Sequence, residues 1–235
     1  MSQKIINHQM ILDGKYTNSI TEKTIEIECP ANKSIFATVP RSNEADVDIA
    51  VKSSLKAFRS WSKVMPKERG RILLKIADAI EIEKEDIAKI IATETGNAIK
   101  TQARPEINLV VDIFRYFGGL SSELKGETIP LGEHVLSYTR REPLGVVGAI
   151  IPWNAPVMLG ACKIAPALCA GNTLVMKAAE DAPLAILKVA EICQKINPKL
   201  KIKVTDDEAP NLGYTPVSYT HLRAHETVLD LVCRL

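Results

Sequence analysis

The first part of the chain changes from a strand-like to a helical pattern of apolar side chains. Residues 24–28 alternate polar and apolar, as in a half-buried strand, and Asp13-Gly14 is typical of a tight hairpin turn. Beyond Ser42, which we expect to cap the first helix, apolar residues recur at helical spacing. Pro66 predicts the start of a second helix and Gly96 its end.

A third helix and an extended arm follow. The helix carries Val110, Phe114 and Phe117, and we expect it to end before Gly118. Core packing is the simplest role for these helical stripes. Residues 126–142 are turn-rich and mostly polar, and their alternation predicts a protruding hairpin arm. Because such an arm buries little of itself, it is a candidate for pairing with another subunit.

The most apolar part of the chain predicts a parallel sheet. Residues 144–151 form an unbroken apolar run, typical of a strand buried on both faces, and residues 173–177 form a second strand. An apolar helix at residues 157–168 separates them, and an amphipathic helix begins at Pro183. This βαβ succession predicts an α/β fold, with a parallel sheet and flanking helices.

The composition of the chain excludes several classes of protein and of binding partner. Of 235 residues, 46% are hydrophobic and 25% charged, which excludes a disordered or collagen-like chain. A net charge of +2 gives no reason to expect a nucleic-acid partner. The longest apolar run is too short to cross a bilayer, so no membrane partner is expected. Five cysteines without CxxC spacing indicate free thiols in a reducing compartment, so we expect a cytoplasmic protein.

Candidate chemistry lies where the two predicted strands end, because parallel sheets bind ligands beyond the carboxyl ends of their strands. Asn154 follows the first strand, and Lys177 and Glu180 lie at the end of the second. No GxGxxG or GxxxxGK[ST] motif occurs, so the pattern alone stops at a nucleotide-type α/β domain. His221 and His225 have a helical metal-ligand spacing without a third ligand nearby, and no metal site is predicted.

Several motifs resemble the aldehyde dehydrogenase family. They are Pro143–Gly148 (PLGVVG), Pro152–Pro156 (PWNAP), Ala165–Leu168 (APAL), Gly171-Asn172 and Lys177–Glu180 (KAAE), with Asp13-Gly14, Trp61, Arg69 and Glu94–Gly96 upstream. The resemblance runs from about Ile6 to Pro198. It implies an incomplete aldehyde dehydrogenase fold: a partial Rossmann-like sheet, an N-terminal β-hairpin and an oligomerisation hairpin.

The resemblance implies a role for each candidate residue. Asn154 matches the asparagine that donates a hydrogen bond to the oxyanion formed when a cysteine attacks an aldehyde. Lys177 and Glu180 match residues that bind the adenosine ribose, and since a carboxylate repels a 2′-phosphate, NAD is expected rather than NADP. The residues placed along the cofactor cleft by the same analogy are Ile150, Ile151, Pro152 and Trp153.

Each role has a structural alternative. Asn154 could satisfy backbone groups of its loop, Lys177 and Glu180 could form a solvated ion pair, and the two isoleucines could pack in the core. The chain also departs from the family: Ala178 replaces a frequent proline, and Ala182 replaces a helix-capping threonine. We expect the second change to cost about 1 kcal/mol of local stability.

The resemblance divides the chain into four parts. Residues 1–124 and 143–198 form the NAD-binding domain, residues 125–142 the oligomerisation arm, and residues 199–235 a non-family tail that is disordered or artefactual. The family's nucleophilic cysteine and general-base glutamate come later than Pro198, so the catalytic domain is expected to be absent.

We therefore expect a truncated NAD-dependent aldehyde dehydrogenase that is inactive alone. Its complete form would be a homo-oligomer that oxidises an aldehyde to a carboxylic acid through a cysteine thiohemiacetal. Two alternatives stay open: an inactive nucleotide-binding or oligomerisation fragment, and an acylating semialdehyde dehydrogenase.

Overall fold

The computed structural model describes residues 5–197 and the backbone of residues 203–205, which form a mixed α/β fold. The strands are β1 (Ile6–Asn7), β2 (Met10–Leu12), β3 (Lys15–Thr17), β4 (Thr24–Cys29), β5 (Ser34–Pro40), β6 (Thr128–Pro130), β7 (Leu136–Tyr138), β8 (Val146–Ile150), β9 (Thr173–Lys177) and β10 (Lys203–Thr205). The helices are α1 (Glu44–Trp61), α2 (Pro66–Thr95), α3 (Arg104–Leu120), α4 (Pro156–Cys169) and α5 (Leu184–Ile196). A π-helical turn, Ile99–Ala103, leads into α3.

The main sheet has five strands in the order β3-β2-β10-β9-β8. Strands β8, β9 and β10 run parallel, which confirms the predicted parallel sheet, while β2 and β3 continue it antiparallel. The β2–β3 turn is the predicted Asp13-Gly14 dipeptide, with φ of 51° and 79°. These left-handed values favour glycine and tolerate aspartate, so the dipeptide sets the hairpin register.

Strand β8 is less buried than its sequence predicts. Only Ala149 of the strand is buried, and Ile150 is 74% exposed. Within the described residues β8 pairs with β9 alone and forms an edge of the sheet. The prediction of a strand buried on both faces is therefore wrong, because the described residues cover the face that carries Ala149 and leave the face that carries Ile150 exposed.

The sheet continues beyond Pro198, contrary to the expectation for the tail. The backbone of β10 lies between β9 and β2, with Val204 opposite Met176 on one side and Ile11 on the other. A strand of three residues is too short to give a periodic signal, which is why the sequence pattern missed it. The rest of the predicted tail, with His221 and His225, lies outside the described residues.

Helix α1 is capped one residue later than predicted. The Asn43 side chain accepts the Asp46 N–H at 3.1 Å, and the Asp46 carboxylate accepts the Asn43 N–H at 3.0 Å. This reciprocal pair is a capping box. Ser42 is instead buried and donates its hydroxyl to the sulfur of Met10 at 3.4 Å, so its predicted capping role is wrong.

Helix α2 begins at Pro66 and ends at Gly96 as predicted, whereas α3 does not end before Gly118. It continues through Gly118 and Gly119 to Leu120. A Cβ on Gly70 of α2 would lie 2.5 Å from the Gly118 carbonyl oxygen. Glycine therefore serves close helix packing here rather than helix termination.

The core fills the space between the sheets and the helices, and the helical stripes pack into it as predicted. Its largest fully buried side chains are Trp61, Phe114, Ile27, Leu73, Ile76, Ile80, Ile87, Ile91, Ile107, Ile164 and Leu168. Among the residues that the structure describes, none of the helices combines the length and apolar character needed to cross a membrane.

The predicted arm is a two-stranded antiparallel hairpin of β6 and β7. Its apolar side chains are exposed rather than packed on the core: Ile129, Leu131, Val135, Leu136 and Tyr138. The other small sheet has the order β1-β5-β4.

Candidate functional site

Two loops leave the sheet side by side. Ile150 at the end of β8 lies opposite Lys177 at the end of β9, and the Ile151 N–H donates to the Lys177 carbonyl at 2.9 Å. The Pro152–Pro156 loop and the residues after Lys177 therefore start from adjacent points on the carboxyl edge. This is the edge at which parallel sheets bind ligands.

Lys177 and Glu180 form an ion pair at this edge, with Nζ 3.7 Å from Oε1. The lysine side chain is 26% exposed and the glutamate side chain 47% exposed. Lys177 also donates to the Ala178 carbonyl at 3.4 Å. Both side chains keep polar atoms within reach of a ligand, since neither is buried.

Asn154 is exposed. A hydrogen bond fixes its backbone carbonyl, whereas its side chain makes no such bond to the described residues. The Nδ2 of Asn97, just beyond α2, donates to the Asn154 carbonyl oxygen at 3.2 Å. Among the described residues, the Asn154 side-chain amide has no hydrogen-bond partner. It therefore does not satisfy backbone groups of its own loop there, and its NH₂ group is available to a ligand.

Helix α4 begins directly after this loop without a cap of its own. Its N-cap is Ala155 and its first residue is Pro156. The carboxylate of Glu106, at the start of α3, accepts the N–H groups of Val157 and Met158 at 3.0 and 3.1 Å. Burial raises the pKa of the Glu106 carboxyl, and the two N–H donors offset part of that rise.

Helix α5 is capped in the same way. Its N-cap is Pro183, which has no suitable side chain, and the buried Glu94 of α2 accepts the N–H groups of Leu184 and Ala185 at 2.6 and 3.0 Å. The expected loss of a cap through Ala182 is therefore wrong, because a carboxylate from another helix supplies it.

Sequence reasoning missed Asn97 and Glu106. Glu106 had a signal: it lies four residues before Val110 and eight before Phe114, on the stripe that faces the core. A carboxylate on an apolar stripe needs a partner, and helix N-terminal N–H groups are suitable ones. Asn97 gave no comparable signal, since it follows the glycine that ends α2.

The residues of the β8 loop differ in exposure. Ile151 is only 2% exposed and belongs to the core, whereas Ile150 faces outward. Pro152 is half-buried, and Trp153 is 57% exposed. The structure thus separates the two isoleucines, which sequence reasoning had treated alike.

Trp153 borders a cleft of about 390 Å³ together with Asp181 and Ala182, which follow Glu180 in the chain. The other lining residues are Glu26, Glu28, Pro30, Glu94 and Thr95. Four carboxyl groups line this space, so it is unsuited to the negatively charged pyrophosphate of a dinucleotide.

The described residues contain four cysteines, all with free thiols. Burial raises the pKa of the Cys162, Cys169 and Cys193 thiols. A reactive cysteine needs the opposite shift, toward the thiolate. The part of the chain described here also holds no cluster of three or more histidine, cysteine or acidic side chains able to bind a metal ion.

A parallel sheet with polar loops at its carboxyl edge is typical of nucleotide-binding α/β proteins. The aldehyde dehydrogenase family model matches residues 16–211, and the chain belongs to that family. The family match thus also extends past Pro198, where we expected it to end.

Similarity to individual proteins supports this assignment. The chain is 41% identical over 187 residues to an aldehyde dehydrogenase of Aspergillus niger, covering 79% of this chain and 37% of that protein. It is 36% identical to the solved structure of PnpE from Pseudomonas sp. WBC-3, with a TM-score of 0.83, covering 86% and 42% of the two chains.

A PnpE structure in complex with nicotinamide adenine dinucleotide is similar at 37% identity and a TM-score of 0.82, covering 85% and 41%. The chain thus spans less than half the length of the relatives it matches. Its fold corresponds to part of the aldehyde dehydrogenase fold.

Proposed function

We propose that this chain contributes the NAD-binding edge and the oxyanion donor of an aldehyde dehydrogenase that oxidises an aldehyde to a carboxylic acid. The observation that carries the proposal is the adjacency of two polar segments: Asn154 lies in the loop after β8, and Lys177 ends β9 and pairs with Glu180 just beyond it. One segment offers a neutral donor and the other an ion pair with free polar atoms.

Lys177 and Glu180 fit the ribose of a nicotinamide cofactor. The ammonium group can donate to a ribose hydroxyl and the carboxylate can accept from one. A 2′-phosphate at the same place would meet the negative charge of Glu180, so NAD is the proposed cofactor rather than NADP. When bound, NAD supplies the acceptor of the hydride.

Asn154 fits the role of oxyanion donor. Its amide is neutral, exposed and free of hydrogen bonds to described residues, while its backbone is fixed by Asn97 on one side and by the capped helix α4 on the other. A donor held this way can stabilise negative charge that develops on an aldehyde oxygen, an effect worth about 3–4 kcal/mol in comparable sites.

The nucleophile is not proposed among the described cysteines. Three have raised pKa values, and a thiol that stays protonated attacks an aldehyde poorly. None of these three thiols is therefore proposed as the nucleophile, and the chain alone is proposed to lack turnover. Its free thiols support the further proposal of a reducing, cytoplasmic location.

Titration of the 235-residue chain with NAD and NADP tests the cofactor proposal. We expect NAD to raise the thermal midpoint and NADP to raise it less. Lys177→Met should weaken NAD binding about tenfold, the loss of one charged hydrogen bond. Glu180→Gln should narrow the preference for NAD over NADP.

Lys89 provides the matched control. It pairs with Asp86 on α2 at the same i,i+3 spacing, and both groups are exposed. Lys89→Met should leave NAD binding unchanged. No thermal response of the wild-type chain to NAD, or an equal loss in both lysine variants, would refute the proposed cofactor site.

The hairpin arm of residues 125–142 supports a second proposal, that the chain associates with further copies of itself. The apolar side chains of Leu136 and Tyr138 on β7 are largely exposed to solvent and belong to neither core cluster of the described residues. Leu136→Lys should lower the mass measured by light scattering; an unchanged mass would count against the arm as the interface.

A further inference from the structure

The first turn of α4 has every backbone N–H group satisfied. Pro156 has no N–H, Glu106 accepts those of Val157 and Met158, and Leu159 donates to the Ala155 carbonyl at 3.1 Å. The two groups that Glu106 takes are the second and third of the helix. Those are the donors that an N-cap side chain ordinarily binds.

Asn154 is the nearest polar side chain along the chain to these donors. It stands one residue before the N-cap Ala155. Asparagine is among the preferred capping residues, because its amide oxygen accepts from the first turn. If Glu106 did not accept these two N–H groups, we expect that the Asn154 amide oxygen would compete for them, and that the contact would then fix the orientation of the amide.

The backbone of the loop is held from the same part of the molecule. Asn97, between α2 and the π-helical turn, binds the Asn154 carbonyl, and Glu106 follows that turn at the start of α3. The connection between α2 and α3 therefore reaches the loop on both sides of the Asn154 side chain. Among the described residues, the Asn154 side chain itself has no hydrogen-bond partner.

We infer that Glu106 is a positioning residue for the oxyanion donor, an inference that rests on the function proposed for Asn154. By occupying the cap of α4, the Glu106 carboxylate keeps the Asn154 amide out of the helix end and available to a substrate oxygen. Glu106 touches no reacting atom. It acts through the backbone of Val157 and Met158.

The side-chain NH₂ signals of Asn154 in the ¹⁵N-labelled 235-residue chain report this role directly. They are assigned by their loss in Asn154→Asp. Glu106→Leu should shift both signals and raise their heteronuclear NOE, because the amide becomes fixed at the helix end. Glu106→Gln should restore the wild-type signals, since its amide oxygen can accept the same two N–H groups.

Asn43→Ala is the control for a general loss of stability. It removes the cap of α1, a helix that does not contact the Asn154 loop through any hydrogen bond of the described residues. This variant should leave the Asn154 signals unchanged. If Asn43→Ala and Glu106→Leu shift them equally, the effect is general loosening and the inference is wrong.

Glu106→Asp covers the case in which Glu106→Leu does not fold. It keeps the charge but withdraws the carboxylate by one methylene, and it should produce a smaller shift in the same direction. Unchanged Asn154 signals in every folded Glu106 variant would overturn the inference. NAD titration of the same samples reports separately on the proposed cofactor site, because that titration depends on Lys177 and Glu180.

Discussion

The carboxylate of Glu94 accepts the Leu184 N–H at 2.6 Å across 90 residues of sequence. It also accepts the Ala185 N–H, so a side chain from the end of α2 takes the place of a cap that α5 does not carry itself. Helix α5 starts just after the Lys177–Glu180 pair. The capping contact therefore fixes the far end of the proposed ribose-binding loop.

Glu94→Ala should destabilise the chain strongly. It leaves two buried helix N–H groups without this acceptor, and we expect the free energy of unfolding to fall by about 2–3 kcal/mol in urea titrations. Glu68→Ala is the control on the same helix, because Glu68 pairs with Arg71 on the surface. That change should cost no more than about 0.5 kcal/mol, and equal losses would contradict the capping role.

The contribution of Glu106 to stability should depend on pH. Its pKa in the folded chain is raised above the ordinary value of 4.5 by burial, so the folded state holds the proton more tightly than the unfolded state. Its contribution is fully present below 4.5 and is lost as the pH rises through the folded pKa.

Urea titrations of the wild type and Glu106→Gln measure this contribution. Since the glutamine does not titrate, the stability of the wild type relative to the variant should fall as the pH increases from 4.5. A constant difference across this range would mean that Glu106 has an ordinary pKa.

Two glycine substitutions should have opposite effects. Gly70→Ala would bring a Cβ within 2.5 Å of the Gly118 carbonyl oxygen, so α2 and α3 would have to separate; we expect a loss of about 1–3 kcal/mol. A Cβ on Gly119 would have no neighbour within 4 Å. Gly119→Ala should therefore stabilise α3 by about 0.5 kcal/mol, as alanine favours helix. The thermal midpoints of both variants, compared with that of the wild type, distinguish the effect of helix packing from that of helix propensity.

The purified chain should produce no NADH when mixed with NAD and a short aldehyde. Burial raises the pKa of three of its thiols, and none of these is a suitable nucleophile. The absorbance of NADH measures the rate. Turnover above that of a Cys162→Ala, Cys169→Ala and Cys193→Ala triple variant would show that one of these thiols does react.

Local patterns predicted the elements well. Certain backbone conformations favour particular residues, and these residues mark turns and helix ends at the predicted places. The Asp13-Gly14 turn, the start of α2 at Pro66 and its end at Gly96 are the examples. The parallel βαβ unit followed from the apolar runs around β8 and β9. Its adjacent strand ends place Asn154, in the loop after β8, and Lys177, at the end of β9, on the same edge of the sheet.

What the sequence did not predict depends on contacts between distant residues. Glu94 and Glu106 cap helices that begin far away in the chain, so no local motif predicts which helix each of them caps. Gly118 resembles a helix terminator until its contact with α2 is known. The exposure of Ile150 depends on whether another element packs on its face of the sheet, and the apolar run alone does not show this.

Ile11 lies opposite Val204, and this pairing has a consequence for the order of events on the ribosome. Within the described residues, β2 joins the rest of the main sheet through β10, so the hairpin of β2 and β3 is translated long before its partner strand exists. The five helices emerge in the meantime. Because β2 and β10 are so far apart in the chain, we expect their pairing to be the slow step of folding. Until they pair, the unpaired edge of β2 stays accessible to a chaperone.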